Sequence, residues 1–160
     1  SSTASERTPL PGAASKLRRM FIVIVGAGRV GSAVAKRSLE AGHEVSVLDS
    51  DPLSHERLDK DQSTTWEDAG GRFTVGAALE VDGLIEAGIE HADVFMAATR
   101  GDNTNLVIGQ LAQRRFGVPR VVVRVADPAR AQWYGEQGLE TICPTQKAID
   151  QAERVVLGTS

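Results

Sequence analysis

The stretch Gly26-Ala27-Gly28-Arg29-Val30-Gly31 is the part of this sequence best suited to chemistry. Its G-x-G-x-x-G spacing suits a main chain that must come close to phosphates. Gly26 allows a tight turn, Gly28 lets a pyrophosphate reach the backbone, and Gly31 lets a following helix pack against a sheet. A helix starting here offers free N–H groups and a partial positive charge to phosphate oxygens. The apolar run Phe21 to Val25 precedes the loop, and a second run ends in Asp49. An acid about twenty residues past such a loop can accept from both ribose hydroxyls. It repels a 2′-phosphate, so NAD(H), ATP, ADP or AMP is favoured over NADP. The same glycine turn can also merely close a helix onto a strand.

Other candidates surround this pair. Arg29 and Val30 lie inside the loop and Ser50 follows the acid. Arg29 reaches either phosphate or solvent. Ala98, Thr99 and Arg100 follow a later apolar run, at the carboxyl edge where ligands lie in open parallel sheets; a plain polar turn is the other reading. Asp102 reads as a helix N-cap. Asn105 faces ligand or solvent, and Arg124 ends another strand within reach of the same crevice. His43, His55 and His91 show no metal-ligand spacing, and read as surface or turn residues. Cys143 reads as a small buried side chain. No Ser/His/Asp, Cys/His or Tyr/Lys constellation stands out, and Trp66, Trp133 and Tyr134 form no aromatic stripe with basic residues.

The elements that would position these groups alternate. FIVIV (21–25), EVSVL (44–48), a short run at 73–75, VFMAA (94–98), VVVRV (121–125) and 139–143 read as strands, several of them continuously apolar as in a sheet buried on both faces. Helices are expected over 32–41, with Val34 and Leu39 as core contacts, and over 52–59, 81–87 and 103–116. A further helix starts at Asp127-Pro128, with Asp as cap and Pro first. The last, 145–157, is amphipathic through Ala148, Ile149, Ala152, Val155 and Val156. The polar stretch 60–71 reads as loop. This alternation predicts an α/β Rossmann fold, doubly wound, with a six-stranded parallel sheet in the order 3-2-1-4-5-6 and helices on both faces.

The chain has 160 residues, enough for one domain, with 41% hydrophobic and 24% charged residues and a net charge of −3. That balance gives no nucleic-acid footprint. With one cysteine no disulfide can form within the chain, which points to a reducing compartment. No apolar run is long enough to span a bilayer. Residues 1–19, rich in Ser, Thr, Ala and Pro, read as a flexible leader or a cloning remnant without a signal-peptide pattern. Met20 stands where a natural start would, and residues 20–158 form the expected nucleotide-binding domain.

Four segments together resemble a known family: FIVIVGAGRVG with HEVSVLDSD, TVGAALEVDGLIEAGIEHADVFMAATRGDNTN, FGVPRVVVRVADPARAQWY, and EQGLETICPT. The chain resembles the N-terminal lobe of RCK domains (regulator of potassium conductance, also called TrkA-N or KTN), as found in cytoplasmic subunits of bacterial Trk/Ktr potassium uptake systems. The resemblance covers Phe21 to about Val156. It implies a regulator rather than an enzyme, binding NAD(H), ATP or ADP and gating a membrane potassium channel or transporter through a conformational change. It implies homodimers or larger rings, held at the inner face of the membrane through the partner, with the last helix suited to crossover packing between lobes.

The chain departs from that pattern after the third strand. Family members usually carry Asp or Asn after the strand's glycine, placed to contact adenine. Here Gly76 is followed by Ala77, which leaves the choice of nucleotide open. Family chains also commonly continue into a smaller C-terminal lobe, so the sequence reads either as an isolated lobe or as a lobe-only subunit. Two rival readings are an NAD-dependent oxidoreductase fragment and a nucleotide or redox sensor with another partner. A dehydrogenase needs a substrate site and an acid or base beside the nicotinamide, and here the whole length goes into the nucleotide fold.

Overall fold

The computed structural model describes residues 18–159. Apart from Arg18 and Arg19, the leader expected over residues 1–19 lies outside them. Six strands form one sheet: β1 (Phe21–Val25), β2 (Glu44–Asp49), β3 (Arg72–Val75), β4 (Val94–Ala97), β5 (Arg120–Arg124) and β6 (Glu140–Ile142). All pairings are parallel and the order is β3-β2-β1-β4-β5-β6, as the alternation predicts. The helices are α1 (Arg29–Glu40), α2 (His55–Asp59), α3 (Val81–Ala87), α4 (Asp102–Gln110), α5 (Pro128–Glu136) and α6 (Pro144–Leu157).

Successive strand residues face opposite sides, and the two faces build separate cores. Val23, Val25, Leu48, Phe95 and Val123 pack under α3, α4 and α5. Ile22, Ile24, Val45, Val47 and Met96 pack on the other side with Ala35 of α1, Leu58 of α2 and Trp66. Burying one such Leu- or Phe-sized side chain is worth about 1.5–3 kcal/mol. The strands therefore hold their carboxyl ends in a fixed line, with Val25 opposite both Leu48 and Ala97.

Several local expectations change. Helix α1 begins at Arg29 rather than Ser32, because Gly28 is already its cap and Ser32 N–H bonds to the Gly28 carbonyl at 2.9 Å. Val34 is 38% exposed, since Gly31, Ser32 and Ala35 take the sheet-facing side. Asp102 is not an N-cap. Gly101 holds that position, and the Asp102 carboxylate instead accepts from the N–H groups of Ala126 (2.8 Å) and Asp127 (3.3 Å). Asp127 does cap α5, accepting from Ala129 N–H at 3.0 Å with Pro128 first in the helix. Cys143 is half-buried, its thiol 3.6 Å from the Ala126 carbonyl. The 60–71 loop is polar but anchored: Trp66 is buried and its ring N–H donates to the Arg72 carbonyl at 2.9 Å. Helix α6 buries no residue at all.

Candidate nucleotide site

At the carboxyl ends of β1, β2, β4 and β5 lies a cavity of about 700 Å³. Pockets of that size hold small molecules and cofactors. Its floor is the glycine loop. Gly26 turns the chain at φ +106°, and a side chain there would strike the Ala98 backbone at 2.6 Å. Gly31 has no room either, for a Cβ would lie 1.8 Å from the Gly26 carbonyl. Gly28 differs: it lines the cavity, and a Cβ on it would meet nothing within 4 Å. The loop is thus closed on its protein side and open on its cavity side. The Ser32–Gly28 bond is the first inside α1, so the N–H groups of Arg29, Val30 and Gly31 lack helical acceptors. No acidic side chain occupies that first turn.

Asp49, at the end of β2, is fixed by the backbone around it. One carboxylate oxygen accepts from Ala27 N–H at 2.7 Å and the other from Asp51 N–H at 2.9 Å. A carboxylate has about four lone-pair sites, so acceptor capacity remains for ribose hydroxyls. Across the cavity, Thr99, Arg100 and Arg124 form the opposite rim. Asn105 sits behind them, 0% exposed. Its carbonyl oxygen accepts from Thr99 N–H (3.0 Å) and Thr99 Oγ1 (2.7 Å), and its amide donates to the carbonyls of Thr99 (3.0 Å) and Arg124 (2.9 Å). Arg124 Nη1 adds a bond to the Thr99 carbonyl at 3.0 Å.

Of the residues marked out by sequence, Gly28, Arg29, Val30, Asp49, Ser50, Gly76, Ala98, Thr99, Arg100 and Arg124 line one cavity. Gly26, Gly31, Ala77 and Asn105 do not: the first two shape the turn, and Asn105 faces neither ligand nor solvent. Five lining residues were missed: Val25, Asp51, Ser54, Arg57 and Ala78. Ser54 and Arg57 stand three apart, the spacing that puts two side chains on one helix face, which was the available signal. Arg57 Nη1 lies 3.4 Å from the Ala27 carbonyl. Four arginines (29, 57, 100 and 124) thus meet two aspartates, 49 and 51, in a chain of net charge −3. Such a lining suits a polyanion with a polar, hydroxyl-bearing end.

Of the three histidines read from sequence as surface or turn residues, His55 acquires two carboxylate partners. His55 Nε2 lies 2.7 and 2.9 Å from the Glu67 oxygens, and Nδ1 lies 3.2 Å from Asp59. These donors cluster within 4.8 Å of one another. Both ring nitrogens already face a carboxylate, so a metal ion would have to displace one. The arrangement pins the 60–71 loop to α2.

Residues 22–144 match the family model of the TrkA-N domain. This chain belongs to the TrkA-N domain family. It is 41% identical over 138 residues to the Trk system potassium uptake protein TrkA of Streptomyces coelicolor, covering 86% of this chain and 59% of that protein. The chain therefore spans about three fifths of that relative's length. Among solved structures it is similar to the TrkA-N domain of inner membrane protein ybaL from Escherichia coli, with a TM-score of 0.71 at 15% identity, covering 87% of this chain and 98% of that one. It is also similar to the Shewanella denitrificans Kef CTD in AMP bound form, with a TM-score of 0.67 at 24% identity, covering 88% and 83%. At those identities the two structures speak for the fold. No helix among the described residues is long and apolar enough to cross a membrane.

Proposed function

We propose that this TrkA-N domain binds an adenine nucleotide, NAD(H), ATP or ADP, as a cytoplasmic regulator of a potassium channel or transporter rather than as an enzyme. The observation that carries the reading is the open Cα face of Gly28 beside the free N–H groups of α1, with Asp49 at one side. A pyrophosphate fits that floor, and a ribose fits the carboxylate. The potassium uptake protein from Streptomyces, at 41% identity, supports the transport setting. The AMP-bound neighbour supports the ligand class.

A nucleotide regulates only if it binds two conformations unequally. The fold supports a partner that could differ between them. On the face covered by α1 and α2, Val94, Val122 and Ile142 are only partly buried. The apolar side of α6, with Ile149, Val155 and Val156, is exposed. A second copy covering these surfaces would make the homodimer or ring that the family resemblance implies.

The test is calorimetry with AMP, ADP, ATP, NAD and NADH on the native chain and on Gly28→Val. Gly28 has φ −75° and space around its Cα, so the variant should fold with an unchanged melting temperature. Saturable binding to the native chain and at least about tenfold weaker binding to the variant are expected, a difference of roughly 1.4 kcal/mol. Equal binding by a folded variant would remove the glycine loop from the site. The same substitution in the intact cellular protein should change potassium uptake, and unchanged uptake would sink the transport half of the reading.

A further inference from the structure

The carboxylates that line the cavity stand on one side only, with Arg57 of α2 beside them and Arg29 in the glycine loop. Asp49 and Asp51 stand at the end of β2, whereas Arg100 and Arg124 stand at the ends of β4 and β5. Strands are about 4.8 Å apart, so the β2 and β4 ends are separated by roughly 10 Å, with the glycine loop of β1 between them. Among the described residues, neither Arg100 nor Arg124 has a carboxylate within 4.0 Å. The Nε of Arg124 is buried without any hydrogen-bond partner. The turn carrying Arg100 is rigid, because Thr99 is bonded through its N–H, its carbonyl and its hydroxyl, the last also accepting from Gly101 N–H at 3.2 Å. Uncompensated cations on a rigid rim are positioned to receive negative charge.

We infer that Arg100, with Arg124 beside it, forms a subsite for the terminal phosphate of a nucleoside polyphosphate. It selects ATP and ADP over NAD⁺. The inference rests on the nucleotide reading above, with ribose at Asp49 and the first phosphates on the glycine loop. The next group along the ligand then lies over β4. In a nucleoside triphosphate that group is anionic. In NAD⁺ the corresponding half ends in a cationic pyridinium ring, which two guanidinium groups repel. Arg100 is exposed and makes no internal contact that the fold needs, so it acts on selectivity without being required for stability.

The experiment is calorimetric titration of AMP, ADP, ATP and NAD⁺ into the native chain and Arg100→Gln, in magnesium-free buffer at constant ionic strength. ATP and ADP should bind the native chain more tightly than NAD⁺. Arg100→Gln should weaken ATP about fivefold, the scale of one exposed charge contact, while AMP stays within about twofold. Equal weakening of AMP and ATP would make Arg100 a general attractor and overturn the subsite. So would ATP affinity that Arg100→Gln leaves unchanged, or native binding of NAD⁺ as tight as ATP. Failure of every nucleotide, AMP included, would instead overturn the nucleotide reading beneath it.

Discussion

The two rims of the cavity are built by different means. On the β2 rim, Asp49 is held by main-chain donors within its own loop and the neighbouring glycine turn. On the β4–β5 rim, Thr99 and Arg124 are held by one buried side chain, Asn105, which is part of neither strand. Backbone anchoring is local and tolerates neighbours changing. Anchoring by a buried amide concentrates the support in a single residue. An unpaired buried polar group costs about 1–3 kcal/mol, so losing that residue should damage its rim far more than losing Asp49 damages the other.

The sharpest way to break this contrast is Asn105→Leu. Leucine fills similar space but leaves Thr99 N–H and the carbonyls of Thr99 and Arg124 without their amide partner. Roughly 3–5 kcal/mol of stability should be lost, read as a fall in the urea midpoint. A loss under about 1 kcal/mol would show that water replaces the amide, and the rim would not depend on Asn105. AMP affinity in the remaining folded protein should change little if ribose lies at the opposite rim.

Asp49→Ala reverses the pattern. Of its two backbone donors, that of Asp51 is exposed and can turn to water, whereas Ala27 is buried, so the stability cost should be about 1–2 kcal/mol, below that of Asn105→Leu. Affinity for every adenine nucleotide should fall about tenfold, since charged acceptors to two ribose hydroxyls are removed. Calorimetry on the native and substituted chains checks both numbers. Unchanged affinity would take Asp49 out of the site and leave it as a loop anchor only.

The same contrast explains what could be read from sequence. The runs FIVIV, EVSVL and VVVRV declare buried parallel strands by composition alone, and the order of the sheet follows from their alternation with helices. The β2 rim is legible because its parts lie close in sequence, with a glycine spacing that has few uses. Asn105 is not legible in this way. Its partner carbonyl on Arg124 lies 19 residues away, and only the pairing of β4 with β5 brings them together. Asp102 misleads for the same reason, since an acid before a helix signals a cap, while its acceptors serve the distant Ala126 and Asp127. Trp66 lies in a stretch so polar that nothing local marks it as core, yet it closes the sheet face beside α2. Ser54 and Arg57 reach the cavity only because a short helix turns back over the loop.

A smaller effect tests the second layer behind the β4–β5 rim. The chain's one tyrosine, Tyr134 on α5, donates from its hydroxyl to the Asp102 carbonyl at 3.0 Å. Burial pushes its phenol above the ordinary value of 10.0, the Asp102 carboxylate adds to the shift, and Arg130 partly offsets it. The folded chain therefore keeps this proton at pH values where the unfolded chain has released it. Where the native state binds more protons, stability falls as pH rises. The phenol's contribution is intact below about pH 10 and is lost as pH climbs through the raised value. Tyr134→Phe removes that titration along with one hydrogen bond worth about 1 kcal/mol. Urea midpoints should drop slightly at neutral pH, and their decline above about pH 10 should be shallower than in the native chain. Parallel alkaline declines in both proteins would show that the Tyr134 phenol is not held buried against Asp102 in solution, leaving Asn105, Arg124 and the Asp102 carboxylate as the rim's side-chain supports.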